Sequence, residues 1–312
     1  MKALVTGGAG FIGSHLADKL VEMGYEVTIL DNLSVTGQNL PDLKKKGIKA
    51  IIADITDTDR MMAEVKGFDV VFHLAAMNRA IKSIKDPLRA NAVNINGTLN
   101  ILEACRKNGV GKVVFSSSSS VHGLSTAFPR VEDDRPIPSH PYGVGKIAAE
   151  YYTNVYHSLF GMDNVVLRYF SVYGPRQLGT IDYAAVIPKF IHKISRGEEI
   201  EVYGDGEQTR SFTYVGDVVE GTIKAAGTKE AYGETINICA SKEISVNGLI
   251  GNLEKLIGKK AIVKHTPEIK GEIRANLASV SKAKKILSFE ASTSMEEGLK
   301  ETVQWHREMH GY

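Results

Sequence analysis

Tyr142 and Lys146 stand four positions apart in HPYGVGKIAAE, residues 140–150. Read as the opening of a helix, that spacing lays phenol and ammonium on one face. An ammonium beside a phenol favours the phenolate, which makes the pair a candidate general base. A free tyrosine titrates near 10, so only about one in a thousand is ionised at pH 7. A usable base needs about 4 kcal/mol of differential stabilisation, more than one lysine is expected to supply. A second, bound cation is therefore expected.

VTGGAGFIG, residues 5–13, carries glycines at 7, 10 and 13 directly after a short apolar strand and at the start of a helical pattern. Gly7 permits a tight turn, Gly10 lets backbone approach a pyrophosphate, and Gly13 allows helix to pack on strand. The helix N-terminus then faces the phosphates. Asp31 closes the next strand, where its carboxylate accepts hydrogen bonds from an adenosine ribose diol. A 2′-phosphate would be repelled there, and no basic residue follows at once in DNLSVTG, so NAD is expected rather than NADP. Asp54, ending the third strand, reads either as a cap on the adenine amino group or as a plain turn aspartate. Oxidised nicotinamide is a cation, and its ring is expected at the carboxyl edge of the sheet, where the Tyr142 helix begins.

The elements agree with that placement. Val/Ile-rich runs at 3–6, 25–30, 48–54, 69–75, 112–118 and 164–170 alternate with helical stretches at 57–66, 88–108 and 142–160. This rhythm predicts a Rossmann-like α/β fold, a doubly wound parallel sheet, over residues 1–174. After Tyr173-Gly174-Pro175 the segments shorten, with helices expected near 183–196, 216–227, 246–257 and 294–309 and strands near 200–203, 235–239 and 262–265. Residues 175–312 read as a smaller C-terminal α/β substrate-binding domain, with a return of the chain to the sheet left open. The 312 residues are 43% hydrophobic and 24% charged, ordinary for a globular chain. A net charge of +2, from 38 basic and 36 acidic residues, gives no support to nucleic-acid or membrane-surface binding. Cys105 and Cys239 sit in apolar company and read as buried thiols in a reducing compartment; nothing suggests a metal site. No leader precedes the first strand and no apolar run nears the length of a membrane span, so the cytoplasm is expected.

TGGAGFIG, Asp31, HLAA (73–76), the serine run ahead of VHG and Tyr142-x-x-x-Lys146 together resemble the extended short-chain dehydrogenase/reductase family, in its nucleotide-sugar epimerase and dehydratase branch. The resemblance continues through NINGTLNILEA (94–104), LRYFSVYGPRQ (167–177), YGDGEQTRSFTYVGDVV (203–219) and SKAKKIL (281–287), nearly the whole chain. It implies that Ser118, five residues before Gly123, binds the sugar and shuttles a proton to Tyr142, with Ser117 as the alternative assignment. Lys146 would hold the nicotinamide ribose and depress the Tyr142 pKa. Gly7, Gly10, Phe11, Ile12, Gly13, Asp31, Asn32, Asp54, Ile55, Leu74, Ala75, Ala76, Asn94 and Tyr169, with Tyr142 and Lys146, fall where the family contacts NAD. Arg210, and less securely Arg274, fall where it clamps the diphosphate, or else form surface ion pairs. Tyr203 falls where an aromatic ring stacks on uracil, and Ser171, Val186 and Asn276 fall in the sugar pocket. His122, His140, Gly145 and Ser171 depart from the usual residues, without removing a reacting group.

Relatives that dehydrate or decarboxylate a sugar usually carry a carboxylate just after the Ser/Thr, whereas this chain has Ser119 and Ser120. The resemblance therefore implies a UDP-sugar 4-epimerase, first among them UDP-glucose/UDP-galactose. It would oxidise C4 transiently with bound NAD, let the 4-keto sugar rotate and return the hydride. UDP-N-acetylglucosamine stays open because Asn276 is small. UDP-glucuronate stays open too, although no dedicated cation for its carboxylate is evident. A net nucleotide-sugar oxidoreductase or reductase, and a non-catalytic NAD-binding regulator, are the remaining alternatives. Relatives pair long helices, so a homodimer is implied by analogy.

Overall fold

Short runs of β-branched and aliphatic residues become the strands of one parallel sheet. In the computed structural model, which describes residues 1–181, 184–268 and 274–312, they are β1 (Lys2–Thr6), β2 (Glu26–Asp31), β3 (Lys49–Ile52), β4 (Val70–His73), β5 (Val113–Ser118) and β6 (Val165–Tyr169). A seventh strand, Thr235–Ile238, comes back from the C-terminal part and pairs in parallel with β6. The order across the sheet is Thr235–Ile238, β6, β5, β4, β1, β2, β3. It reverses at β1, flanked by β2 and β4, and that reversal opens a crevice beyond the carboxyl ends of the strands.

Alternating residues of each strand feed opposite faces. Ala3, Val5, Ile29 and Phe72 pack with Leu16 and Leu20 of the helix Phe11–Glu22 and with Val218 of the helix Val215–Gly227. Leu4, Leu30 and Val71 pack on the other side with Met61, Ile101, Leu102 and Cys105. A separate core, built around Phe190, Ile194, Ile200, Leu249, Leu253 and Leu299, holds the C-terminal part together. Both cysteines are free and buried, and burial pushes the Cys239 thiol up to about 12. Among the described residues no helix is long and apolar enough to cross a membrane.

Two expected helices differ. The stretch at 88–108 is not continuous: α-helix at Pro87–Asn91, a π-helical turn at Ala92–Gly97, then α-helix at Thr98–Lys107. At that turn Gly97 packs so closely on Ile55 that a Cβ there would lie 2.6 Å from its Cδ1. The helix expected from residue 183 runs Val186–Arg196, and residue 183 itself lies outside the described residues. Small added strands tie the C-terminal part together: Ile262–Thr266 pairs in parallel with Glu199–Tyr203, and Ile244–Ser245 pairs antiparallel with Thr209–Arg210.

Candidate active site

The end of β1 turns at Gly7, whose φ of +70° suits glycine, and a Cβ there would lie 2.8 Å from the Ala75 amide nitrogen. Gly13 sits so close to the turn that a Cβ would lie 2.3 Å from the Gly7 carbonyl oxygen. Gly10 caps the helix Phe11–Glu22 with no side chain, leaving the first-turn amides without a side-chain acceptor at the crevice. Asp31 closes the loop by accepting hydrogen bonds from the Ala9 amide (3.1 Å) and the Leu33 amide (2.8 Å), and burial raises its pKa. Asp54 accepts from Thr56, Asn32 and Arg89. Against burial, which raises it, those bonds hold its carboxyl at about 2.

These groups wall a cavity of about 720 Å³ that runs to Ser118, Tyr142 and Lys146. Every cofactor position named from the sequence lines it except Asn94. Asn94 is buried on the π-helical turn and grips the backbone of Met77, accepting from its amide at 2.8 Å and donating to its carbonyl at 3.2 Å. Gly145 packs against Asn94, where a Cβ would lie 2.9 Å from the Asn94 Cβ; this accounts for glycine ahead of the lysine. Tyr169 lines the cavity while its hydroxyl bonds Thr222 at 2.7 Å.

The tyrosine and lysine lie on the helix Pro141–Phe160, as expected from their spacing. His140 is its N-cap, the ring Nδ1 accepting from the Gly143 amide at 3.2 Å, which explains a histidine where serine is usual. The Tyr142 amide donates to Ser83 Oγ at 3.0 Å. Lys146 Nζ is buried, donates to the Ser116 carbonyl at 2.6 Å and lies 5.8 Å from the Tyr142 ring centroid.

Adjacent serines on β5 point to opposite sides, and this separates the two assignments. The Ser118 hydroxyl, which accepts from the Ser120 amide at 3.2 Å, lies toward the Tyr142 phenol and favours its ionised form. Ser117 instead donates to buried Glu150, which is held by both ends of the Arg168 guanidinium at 2.9 and 2.8 Å. His122, in the usual tyrosine position, is a buried ring against Phe170; burial and the Arg168 and Arg130 charges push it down to about 4.

The electrostatics correct one expectation. Burial pushes the Tyr142 phenol up, and the groups that pull it back are the Ser118 hydroxyl and the Arg79 charge, not Lys146. Lys146 is itself pushed down to about 7 by burial, opposed by the Glu150 carboxylate.

A second cavity of about 300 Å³ opens from the first and is lined by Ser171, Val186 and Arg210 among others. Three substrate positions expected from the sequence line neither cavity. Tyr203 ends the strand Glu199–Tyr203 and is 41% exposed. Arg274 forms a two-point ion pair with Asp205 at 2.9 and 2.6 Å and a third contact with Glu268 at 3.3 Å. Asn276 donates its amide to Glu243.

Compared with known families, residues 3–239 match the NAD dependent epimerase/dehydratase family. The chain belongs to this family. The putative UDP-glucose 4-epimerase of Methanocaldococcus jannaschii is 38% identical over 304 residues, 97% of each chain. The UDP-N-acetyl-alpha-D-glucosaminuronate decarboxylase of Bacillus cytotoxicus is 39% identical over 319 residues, 99% of this chain and 98% of that one. Among solved structures, the UDP-glucose 4-epimerase of Thermotoga maritima, determined with UDP-glucose, has a TM-score of 0.93 and 38% identity, covering 99% of each chain.

The cavity fits the cofactor of the NAD-dependent epimerase/dehydratase family. The uncapped first turn of Phe11–Glu22 suits a diphosphate, and Asp31 accepts from the Ala9 and Leu33 amides with no cation paired to it among the described residues, which a 2′-phosphate would need. Sequence reasoning missed Arg79 and Gln177, both on the cavity wall. MNRA and PRQ follow no period or motif with a mechanism, and only the tertiary fold brings them to Ser118 and Tyr142.

Proposed function

We propose that this chain is a UDP-hexose 4-epimerase using bound NAD. The observation that carries the reading is convergence: Ser118, Tyr142 and Lys146 wall the same cavity as the glycine turn and Asp31, and Ser118 is followed there by Ser119 and Ser120 rather than a carboxylate. The wall's three carboxylates, Asp31, Asp54 and Asp86, are engaged instead with loop amides, Asn32 and Arg89. Elimination or decarboxylation chemistry thus lacks an acid beside the serine, which favours epimerisation over the reaction named for the Bacillus cytotoxicus relative.

Bound NAD supplies reversible hydride acceptance at C4. Tyr142 exchanges the proton of the sugar 4-oxygen, and the Ser118 hydroxyl bridges that oxygen and the phenol. Lys146, one helical turn below the phenol and anchored to the Ser116 carbonyl, is placed to hold the nicotinamide ribose. Arg210, on the second cavity, meets the diphosphate. Among UDP-hexoses the family resemblance points first to UDP-glucose and UDP-galactose.

The test is incubation of the purified protein with a panel of UDP-hexoses and separation of C4 epimers. The expected result is interconversion with no net absorbance change at 340 nm. Net accumulation of reduced nicotinamide, or loss of carbon dioxide, would replace this reading with an oxidoreductase or a decarboxylase. We also propose a homodimer through the helix Pro141–Phe160. Its Tyr151, Val155 and Leu159 recur every fourth residue and stay 58%, 45% and 70% exposed. Sedimentation of a monomer at micromolar concentration would reject it.

A further inference from the structure

The two cavities share four wall residues, Arg79, Ser171, Val172 and Gln177. With the diphosphate toward Arg210 and the reacting carbon at Tyr142, this junction is where the hexose lies. It is also where polar groups are left unmet. Arg79 Nε and Gln177 Oε1 are buried without hydrogen-bond partners, and an orphaned buried polar atom is costly to keep unless a ligand meets it. Arg79 and Ser171 hold φ of +81° and +35°, conformations that non-glycine residues rarely adopt and that cluster at ligand sites.

Among the described residues the charge at the junction has one sign. The second cavity is lined by two cations, Arg79 and Arg210, and by no carboxylate among the described residues. Arg210 lies on the second cavity alone, donating to the Thr209 carbonyl at 2.8 Å. Arg79 lies within electrostatic reach of the Tyr142 phenol, each raising the stability of the other's charge. A cation beside the group that handles the 4-oxygen faces the substituents on C3 and C5 of the sugar. UDP-glucose offers only neutral hydroxyls there. A carboxylate offers two oxygens matched to the guanidinium fork.

Resting on the epimerase reading, we infer that Arg79 binds a carboxylate on the hexose, so that the substrate class is an acidic UDP-sugar, a UDP-glycuronate first, rather than a neutral one. This supplies the dedicated cation that was not evident from the sequence.

The test compares kcat/KM for UDP-glucuronate and UDP-glucose, which differ only at C6, in wild type, Arg79→Gln and Arg79→Lys. Wild type is expected to favour the uronate by about 100-fold, the worth of a charge-assisted hydrogen bond of about 3 kcal/mol. Arg79→Gln is expected to collapse that ratio toward one, with Arg79→Lys between. A UDP-hexose carrying its carboxylate on a C3 ether tells the C3 position from C6, and preference for either supports the inference. Wild-type preference for the neutral sugar overturns it. So does an equal fall on both sugars in Arg79→Gln, whether in kcat with a shifted pH profile (a role on Tyr142) or in KM with weakened UDP binding (a role on the diphosphate). Calorimetric affinities of wild-type holoenzyme for the two sugars are read in parallel. Selective uronate binding with no epimer formed from any sugar would reject the epimerase reading while leaving the carboxylate site standing.

Discussion

The two ends of the active-site cavity are built in opposite ways. At the dinucleotide end the carboxylates are already engaged and the first-turn amides of Phe11–Glu22 are kept open for phosphate: Asp31 holds two loop amides, Asp54 holds Thr56, Asn32 and Arg89, and Gly7 and Gly13 leave no room for a side chain. At the sugar end Arg79 Nε and Gln177 Oε1 are buried and unpartnered, and two wall residues hold positive φ. A close-packed end with its carboxylates already bonded suits a cofactor kept through the cycle. An end with unmet bonds keeps its interactions for the substrate, where they can act on the reaction.

The contrast can be broken from several sides. Tyr142→Phe, at the sugar end, is expected to lower epimer formation by about 10²–10⁴-fold, the range for a general acid–base group, measured as kcat by product separation. A variant within threefold of wild type would remove Tyr142 from the chemistry. Gly13→Ala attacks the other end: its Cβ would meet the Gly7 carbonyl oxygen at 2.3 Å, and the turn must open. A loss of about 1–3 kcal/mol by denaturant melt is expected, together with weakened NAD binding by calorimetry. Unchanged NAD affinity would show the dinucleotide end to be softer than its packing implies.

Lys146 tests how far the sugar end is held under electrostatic stress. It titrates at about 7 in the fold and at 10.5 as a free side chain. The unfolded chain therefore binds more protons between those values, so this residue's contribution to stability rises with pH across that window and is lost as pH falls to 7. Lys146→Met removes the burden, and the melting temperature of the variant relative to wild type should be highest at or below pH 7 and decline by pH 10. The difference is expected to be on the order of 1 kcal/mol, since the bond to Ser116 is lost as well. A pH-independent difference would mean that the ammonium is not stressed. The smallest effect belongs to Arg274→Ala. Its ion pairs with Asp205 and Glu268 are exposed, and such pairs contribute about 0–1 kcal/mol. Substrate KM should change less than threefold. A tenfold rise would return Arg274 to the diphosphate site where the resemblance had placed it.

Much of the dinucleotide end was legible because its constraints are local. A strand, a glycine turn and a helix are contiguous in sequence, and their requirements for small residues fall at fixed spacings. Tyr142 and Lys146 were legible for the same reason, one helical turn apart. Ser118 and Ser117 could be told apart only in three dimensions, since neighbouring strand residues face opposite sides and only the fold shows that Ser117 turns to Glu150. Asn94, Tyr203, Arg274 and Asn276 were placed by family position, yet the fold sets Asn94 behind the wall and the other three away from both cavities. Asn94 lies on a π-helical turn, Tyr203 at a strand end, and Arg274 and Asn276 outside any helix or strand, each held by contacts with residues distant in sequence.

From the chain alone follow the parallel sheet, the glycine turn, the preference of Asp31 for a free ribose diol and the phenol–ammonium pair. All of these depend on periodicity and short-range sterics. The tertiary structure alone decided which cation faces the phenol and which serine lies toward it. Arg79 lies more than sixty residues before Tyr142, and only the packing of the segment after β4 against the Tyr142 helix brings its charge to the phenol.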